Sequence, residues 1–325
     1  MKKSMLLFVS SVAFVLAACA TAPAAQPEPT AQPSQQIDAT ATTEPNVSAE
    51  TVLTDGKGRP VVIPESVTTI ISLAPSTTEI IYALDAGDRV LAVDMYSDFP
   101  AEVADLPKIT NPDMSVNYEQ ITALNPDVIF AAAITPDDVI TKLETLGLNV
   151  IVIGSLNSTF ASVLTDIELV GTVLGQSTAA SELTNSMQAS WSELVAKVAT
   201  VEKKPRVFWE LDATDPAKPY TIGAGNFVNE LLIAAGGENV FGQSDNPYPQ
   251  VSLEQIVAEA PDVILLGNSI WGVTPDMVYA RTGWEQIPAV KNKAVFPIND
   301  NLVSRPGPRI VEGLAEVVSV LHPNN

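Results

Sequence analysis

The stretch Glu119-Gln-Ile-Thr-Ala-Leu-Asn-Pro-Asp-Val-Ile129 returns 135 positions later as Glu254-Gln-Ile-Val-Ala-Glu-Ala-Pro-Asp-Val-Ile264, with eight of eleven residues identical and no gap. Each copy reads as a helix opened by an acid, a Pro-Asp turn, then a buried strand: Val128–Ala131 in one and Val263–Leu266 in the other. A duplicated helix–turn–strand unit at this separation predicts two similar lobes in place of one core. Two lobes enclose a cleft, and a cleft is where ligands bind. The repeat also sets one glutamate, Glu119 or Glu254, at the same position on each lobe.

Outward from the repeat, apolar strands alternate with helical patterns. The first half offers Thr69–Leu73, Val90–Val93, Val128–Ala131 and Val150–Ile153; the second offers Arg206–Glu210, Tyr220–Ile222, Val263–Leu266 and Ala294–Pro297. Helical stretches such as Thr78–Leu84, Glu119–Leu124 and Pro136–Leu146 lie between them. Strands separated by helices imply right-handed crossovers and a mainly parallel sheet in each lobe. From Thr159 to Lys204 apolar residues recur at three- and four-residue spacing, with an interruption at Gly175-Gln-Ser177. This segment predicts a long helix, following a shorter one, as a stiff connector. The expected fold is therefore α/β, with two Rossmann-like lobes joined by a long inter-lobe α-helix. Its expected division is a leader at 1–18, a tether at 19–55, an N-terminal lobe at 56–157, a connecting helix region at 158–204 and a C-terminal lobe at 205–325.

The N-terminus carries targeting information. Lys2 and Lys3 precede an apolar run from Met5 to Val15, too short to span a bilayer as a mature helix. Leu16-Ala-Ala-Cys19 follows and resembles the lipobox of bacterial lipoproteins, which makes Cys19 the lipidated first residue. Cys19 is the only cysteine, so disulfide and thiol chemistry are excluded from the body. The next thirty or so residues are rich in Ala, Pro, Thr and Gln and lack the apolar bulk that offsets ordering entropy, as expected of a tether. The chain carries a formal charge of −21, from 17 basic and 38 acidic residues. Phosphate backbones and anionic headgroups repel such a surface, whereas a basic partner attracts it.

Ser76 followed by Glu79 and an apolar run has the pattern of a capping box. The same strand–Pro75–helix arrangement sets backbone N–H groups at a sheet's carboxyl edge, where open α/β folds bind ligands. Ser76 can thus be a structural cap or a ligand contact. Gly223-Ala-Gly225 starts like a dinucleotide fingerprint, but Val228 stands where its third glycine belongs, which assigns it to a turn. The only histidine is His322, so neither a bare metal nor a histidine-held haem finds its ligands. Tyrosine ligation of haem stays open. An anionic siderophore would call on Arg281, Arg305 or Arg309.

Four pieces carry a family resemblance: Ile70-Ile-Ser-Leu-Ala-Pro-Ser-Thr-Thr-Glu79, Tyr96-Ser-Asp-Phe-Pro100, Pro247-Tyr-Pro-Gln-Val-Ser252 and Pro306-Gly-Pro-Arg-Ile310. With them the chain resembles the helical-backbone (class III) substrate-binding proteins of ABC importers, which bind vitamin B12, siderophores or haem. The second and third pieces are similar to the cobalamin-binding branch. That resemblance implies an extracytoplasmic, lipid-anchored, monomeric receptor that captures a cobalt corrinoid or an iron chelate and delivers it to a permease, with no resident cofactor. It implies a ligand site at Pro75, Ser76, Tyr96, Tyr248, Trp271 and Arg305. Trp209 and Trp284 are further candidates, although Trp191 and Trp209 sit in segments with core periodicity. It also implies that Glu119 and Glu254 dock into arginine-lined pockets of the permease. One departure stands out: the cobalamin branch has a tryptophan-bearing loop before the first glutamate helix, and residues 109–118 here contain none. One wall of the cradle is then built differently, or the ligand differs. A receptor feeding a sensor fits the same residues. The alternative of another class, a two-lobed extracytoplasmic enzyme, has no thiol and only a peripheral histidine to work with.

Overall fold

The computed structural model describes residues 51–324. Cys19, the leader and the tether up to residue 50 lie outside them. The described chain opens with a hairpin in which β1 (Thr51–Thr54) pairs antiparallel with β2 (Pro60–Ile63). Residues 51–54 therefore belong to the folded body, although the sequence assigned them to the tether. The reason is Asp55 in the turn. Its buried carboxylate accepts from the backbone N–H groups of Lys57 and Arg59, from the Arg59 guanidinium and from Val152 N. Those bonds fasten the hairpin to the first lobe.

The first lobe runs β3 (Ile70–Ser72), α1 (Pro75–Ala83), β4 (Val90–Val93), α2 (Tyr118–Leu124), β5 (Val128–Ala132), α3 (Asp137–Thr145) and β6 (Val150–Ile153). Its four strands are parallel in the order β4-β3-β5-β6. Helices cover both faces, which is why these strands are continuous apolar runs without polar alternation. Two helices follow. In α4 (Phe160–Leu174), Thr159 and Ser162 form a capping box at the start, and Gly175 closes the end at φ 70°, a left-handed conformation that suits glycine. Then α5 (Ser177–Val198) runs for 22 residues, about 33 Å at 1.5 Å per residue. Phe160, at the start of α4, stacks on Trp191, near the end of α5, with ring centroids 4.0 Å apart. The two helices are therefore an antiparallel pair, and the interruption expected at Gly175-Gln-Ser177 is its turn.

The second lobe runs β7 (Arg206–Glu210), α6 (Phe227–Ala234), β8 (Glu238–Asn239), α7 (Leu253–Glu259), β9 (Val263–Leu266), α8 (Pro275–Tyr279), α9 (Pro288–Lys291), β10 (Val295–Pro297), α10 (Asp300–Val303) and α11 (Ile310–Leu321). Its strands are also parallel, in the order β10-β9-β7-β8. Tyr220–Ile222, expected as a strand of this sheet, is not one. Tyr220 makes isolated antiparallel bridges to Asp212 and Gln250, and Thr221 and Gly223 donate to the carbonyls of Pro249 and Pro247. Prolines on the facing segment have no N–H to return, so the ladder cannot lengthen. The fourth place in the sheet goes to the two-residue strand β8.

The two copies of the repeat behave alike. Asn117 and Ser252 cap α2 and α7 by accepting from the N–H groups of Gln120 and Gln255. Both helices end on a left-handed residue, Asn125 at φ 45° and Ala260 at φ 47°. The repeated aspartates, Asp127 and Asp262, then clamp the start of the neighbouring central strand. Each donates its N–H to that strand's entry (the carbonyls of Thr69 and Arg206) and accepts in return from the N–H groups of the same two residues. Thus β3 and β7 are equivalent, as are β5 and β9. One apolar core crosses both lobes: Ile70, Phe130, Val163, Met187, Val207, Trp209, Leu265 and Leu314 belong to a single buried cluster. Each lobe adds a smaller core on its outer face, around Ile129 and Ile121 in the first and Phe208 and Trp284 in the second.

Candidate functional site

In a parallel sheet with helices on both faces, ligands meet the loops that leave the carboxyl ends of the strands. Here the loops of one lobe touch those of the other. Arg305, on the segment after β10, donates to Asp98 Oδ1 at 2.6 Å and to the Tyr96 carbonyl at 3.2 Å, both on the loop after β4. It also reaches Glu79 Oε1 at 3.1 Å. Arg309 binds both oxygens of the same buried glutamate, its Nε lying 2.9 Å from Oε2, and covers the Phe99 ring at 3.9 Å. Between the two arginines, Gly307 lies so near the other lobe that a Cβ there would stand 3.3 Å from the Ser76 carbonyl oxygen. The loops at the carboxyl edges of the two sheets therefore meet where the lobes face each other.

The expected capping box at Ser76 is absent. The N-cap of α1 is Ala74, with no side-chain cap bond, and Pro75 takes the first helical position. Glu79 cannot reach back to the helix start because two arginines from the other lobe hold it. Pro75 and Ser76 are half-buried and lie at the meeting of the lobes. Beneath them, Ser72, Thr78 and Ser97 form a buried hydroxyl chain that ends on Asp94, which accepts from the Ser97 hydroxyl. Asp94 also accepts from Tyr96 N at 2.8 Å, so it aims the Tyr96 loop. Burial pushes the Asp94 carboxyl above its ordinary value, against the bonds from Ser97 and Tyr96.

The aromatic candidates divide sharply. Tyr96 is 39% exposed, Tyr248 57% and Trp271 73%; they leave the ends of β4, β8 and β9. Trp209 and Trp284 are fully buried, and Trp284 donates its indole N–H to the Pro216 carbonyl at 3.1 Å. They are core residues, and Trp284 leaves the set of ligand candidates for that reason. Tyr118 packs into the outer core of the first lobe. Two exposed aliphatic residues that the sequence did not mark, Ile134 after β5 and Leu156 after β6, are each 72% exposed at the same edge. Large apolar side chains left this open at strand ends are the signal that was missed.

Each arginine named for an anionic ligand is engaged with a carboxylate. Arg305 and Arg309 hold Glu79, and Arg281 forms a two-pronged pair with the fully buried Glu210 while lying 4.5 Å from the Trp284 ring centre. The docking candidates have the opposite character. Glu119 and Glu254 are exposed and occupy the second position of α2 and α7. At Glu254, its own backbone N–H and then the Ser252 hydroxyl hold the carboxyl below its ordinary value. His322 is buried, with Nε2 2.9 Å from the Ala235 carbonyl oxygen. Among the described residues, no group of three or more His, Cys, Asp or Glu side chains is gathered to hold a metal ion. No described helix is long and apolar enough to cross a membrane.

Comparisons with known proteins agree with this architecture. The periplasmic binding protein family profile matches residues 70–302. An uncharacterized ABC transporter substrate-binding lipoprotein of Bacillus subtilis, YvrC, is 31% identical over 90% of this chain and 91% of its own length. The vitamin B12-binding protein of Vibrio parahaemolyticus is 33% identical over 78% of this chain and 89% of its own. The crystal structure of the periplasmic vitamin B12-binding protein BtuF of Vibrio cholerae superposes with a TM-score of 0.67 at 29% identity, covering 79% of this chain and 98% of that one. The chain thus belongs to the periplasmic binding protein family, as a substrate-binding protein of ABC transporters.

Proposed function

We propose that this protein is a lipid-anchored, extracytoplasmic receptor that binds a corrinoid such as cobalamin in its inter-lobe cleft and delivers it to an ABC permease. The observation that carries the reading is the make-up of the cleft edge. Rings and aliphatic side chains lie open on it (Tyr96, Tyr248, Trp271, Ile134 and Leu156), while Arg305 and Arg309 are already paired with Glu79 and Asp98. Such an edge suits a large, flat, nearly neutral ligand, because amphipathic rings bury much area and keep a polar tip wet. A catecholate siderophore, strongly anionic, would want those arginines free. The cobalamin-binding branch has a tryptophan in the loop that corresponds to residues 109–118; here Ile134 and Leu156, on the loops after β5 and β6, supply apolar surface in its stead. Pro75 and Ser76 form the floor beside Arg305.

Glu119 and Glu254 serve as the docking pair. Two exposed carboxylates in matched positions, one per lobe, fix register and speed encounter with a basic partner more than they add affinity. Cys19 carries the lipid, in keeping with the lipoprotein YvrC. The protein binds without turning its ligand over and acts as a monomer. Titration of purified protein with cyanocobalamin, haem and ferric siderophores, followed by tryptophan fluorescence, tests the ligand. Saturable quenching by the corrinoid is the expected result; tight binding of a siderophore without corrinoid binding would overturn it. Chemical change in the recovered ligand would return the enzyme reading.

A further inference from the structure

Two glutamates outside the repeat occupy equivalent places in the two lobes. Glu79 lies in α1, the helix after β3, and Glu230 lies in α6, the helix after the equivalent strand β7. Each precedes a pair of fully buried aliphatics, Ile80-Ile81 and Leu231-Leu232, in the core shared by the lobes. Each carboxylate reaches the segment that follows the outer strand of the other sheet: Glu79 meets arginine side chains at and before the start of α11, and Glu230 meets a backbone N–H at the start of α4. Glu79 accepts from Arg309, the N-cap of α11, and from Arg305. Glu230 Oε2 accepts from Phe160 N, the first residue of α4, at 2.9 Å. At α4 the Glu230 carboxylate is favoured by an N–H group left unpaired at the helix start and by the macrodipole, whereas Glu79 is held by two guanidinium groups.

We propose that Glu79 and Glu230 are matched positioning residues that tie the lobes together and fix the opening of the cleft before ligand arrives. Apolar packing between lobes is non-directional and would let them rock; hydrogen bonds are directional. The two ties belong to opposite ends of the sheets. Arg305 and Arg309 follow β10, an outer strand of the second sheet, and Phe160 follows β6, the outer strand of the first sheet remote from β4. One tie alone would leave a swivel. Two separated ties, with the shared core as a third contact, leave none. The inference stands on inter-lobe geometry and is independent of which ligand binds.

The test is a distance distribution between spin labels on exposed helical sites of the two lobes, Thr141→Cys in α3 and Asp276→Cys in α8, in the full chain with Cys19→Ser. Unliganded protein should give one narrow distance. Glu230→Ala should broaden it, and Glu230→Gln, which keeps an acceptor for Phe160 N, should restore it. Glu79→Ala combined with Glu230→Ala should broaden it most. A narrow distance identical to the parent in Glu230→Ala and in the double variant would overturn the proposal, even with a lowered melting temperature, since that pattern describes stability without positioning. Should Glu79→Ala fail to fold, Arg305→Ala reads the same arm, because it cuts the bonds to Glu79, Asp98 and the Tyr96 carbonyl while leaving the Arg309 pair. An unchanged distribution there, together with one in Glu230→Ala, is the same refutation.

Discussion

The carboxyl edges of the two sheets handle their buried acids in different ways. In the second lobe, Glu210 at the end of β7 is fully paired: Arg281 grips both oxygens, and the Asn268 amide donates to Oε1 at 3.0 Å. In the first lobe Glu79 is likewise held by arginines, from the other lobe, but Asp94 and Asp166 have none. Asp94 relies on hydroxyl and N–H donors, and Asp166, on α4, accepts only from Gly154 N at 3.2 Å. Burial pushes the Asp166 carboxyl up to about 6, opposed only by that one hydrogen bond. A carboxylate paired to arginine stays charged over a wide pH range, whereas the lone buried Asp166 changes protonation under mildly acidic conditions. The aromatic residues follow the same division. Tyr96 is held at its N–H, its carbonyl and its hydroxyl, which bonds the Pro112 carbonyl at 3.3 Å; Trp271 stands on a short turn with its ring in water. The Tyr96 ring is set in advance, and the Trp271 ring is left free to choose its rotamer.

Removing one partner of a buried pair is the harshest way to break this contrast. Arg281→Leu should destabilise the protein by about 3–5 kcal/mol, read by urea unfolding, because Glu210 is left charged and fully buried. The next effect is the pH response of the first lobe. The folded Asp166 carboxyl titrates near 6 and the unfolded one near 3.8, so the folded state binds the extra proton between these values. The Asp166 contribution should therefore be larger at pH 4 than at pH 6.5 and fall as pH rises through that window, by up to about 3 kcal/mol, read as the difference between the parent and Asp166→Asn. Asp166→Asn, which keeps an acceptor for Gly154 N, should flatten that slope and raise the midpoint at neutral pH.

Ligand affinity gives a smaller effect. Trp271→Ala should leave the unfolding midpoint unchanged and weaken corrinoid binding by about 1–2 kcal/mol, roughly tenfold, as measured by fluorescence or calorimetry. Tyr96→Phe should change less, because only the hydroxyl contact to Pro112 is lost. The docking pair should move neither stability nor ligand affinity. Glu119→Lys with Glu254→Lys should abolish ligand uptake in cells while purified protein binds as before, and uptake at the parental rate would remove these residues from the interface.

What could be read from the chain follows the range of the interactions. The helix–turn–strand repeat is local, so its caps, its left-handed ends and its buried strands all follow from eleven residues. Continuous apolar runs located seven of the eight sheet strands. The exception, β8, is two polar residues, Glu238 and Asn239, placed by pairing with β7 and carrying no propensity of their own. Tyr220–Ile222 had the propensity but faced prolines. Glu79 illustrates the limit best. Locally it completes a capping pattern with Ser76, yet its partners lie 226 and 230 residues away and displace that role. The exposed aromatics Tyr96, Tyr248 and Trp271 could be picked out as rare residues near strand ends; the commitment of the arginines to buried acids could not, because nothing in the sequence pairs Arg281 with Glu210. Cys19 and the lipid it is expected to carry lie outside the described residues.

The core that crosses both lobes has a consequence for how the molecule comes apart. Strands of each sheet and both connecting helices bury side chains in the same cluster, so neither lobe can melt and leave the other with a closed interior. Heat or urea should then reveal one sharp transition, reported alike by the tryptophan of the first helical pair and by that of the second sheet. Cutting the chain between α4 and α5 should yield two insoluble fragments that recover structure only when mixed. A protein shaped like two bodies would thereby register in a calorimeter as one.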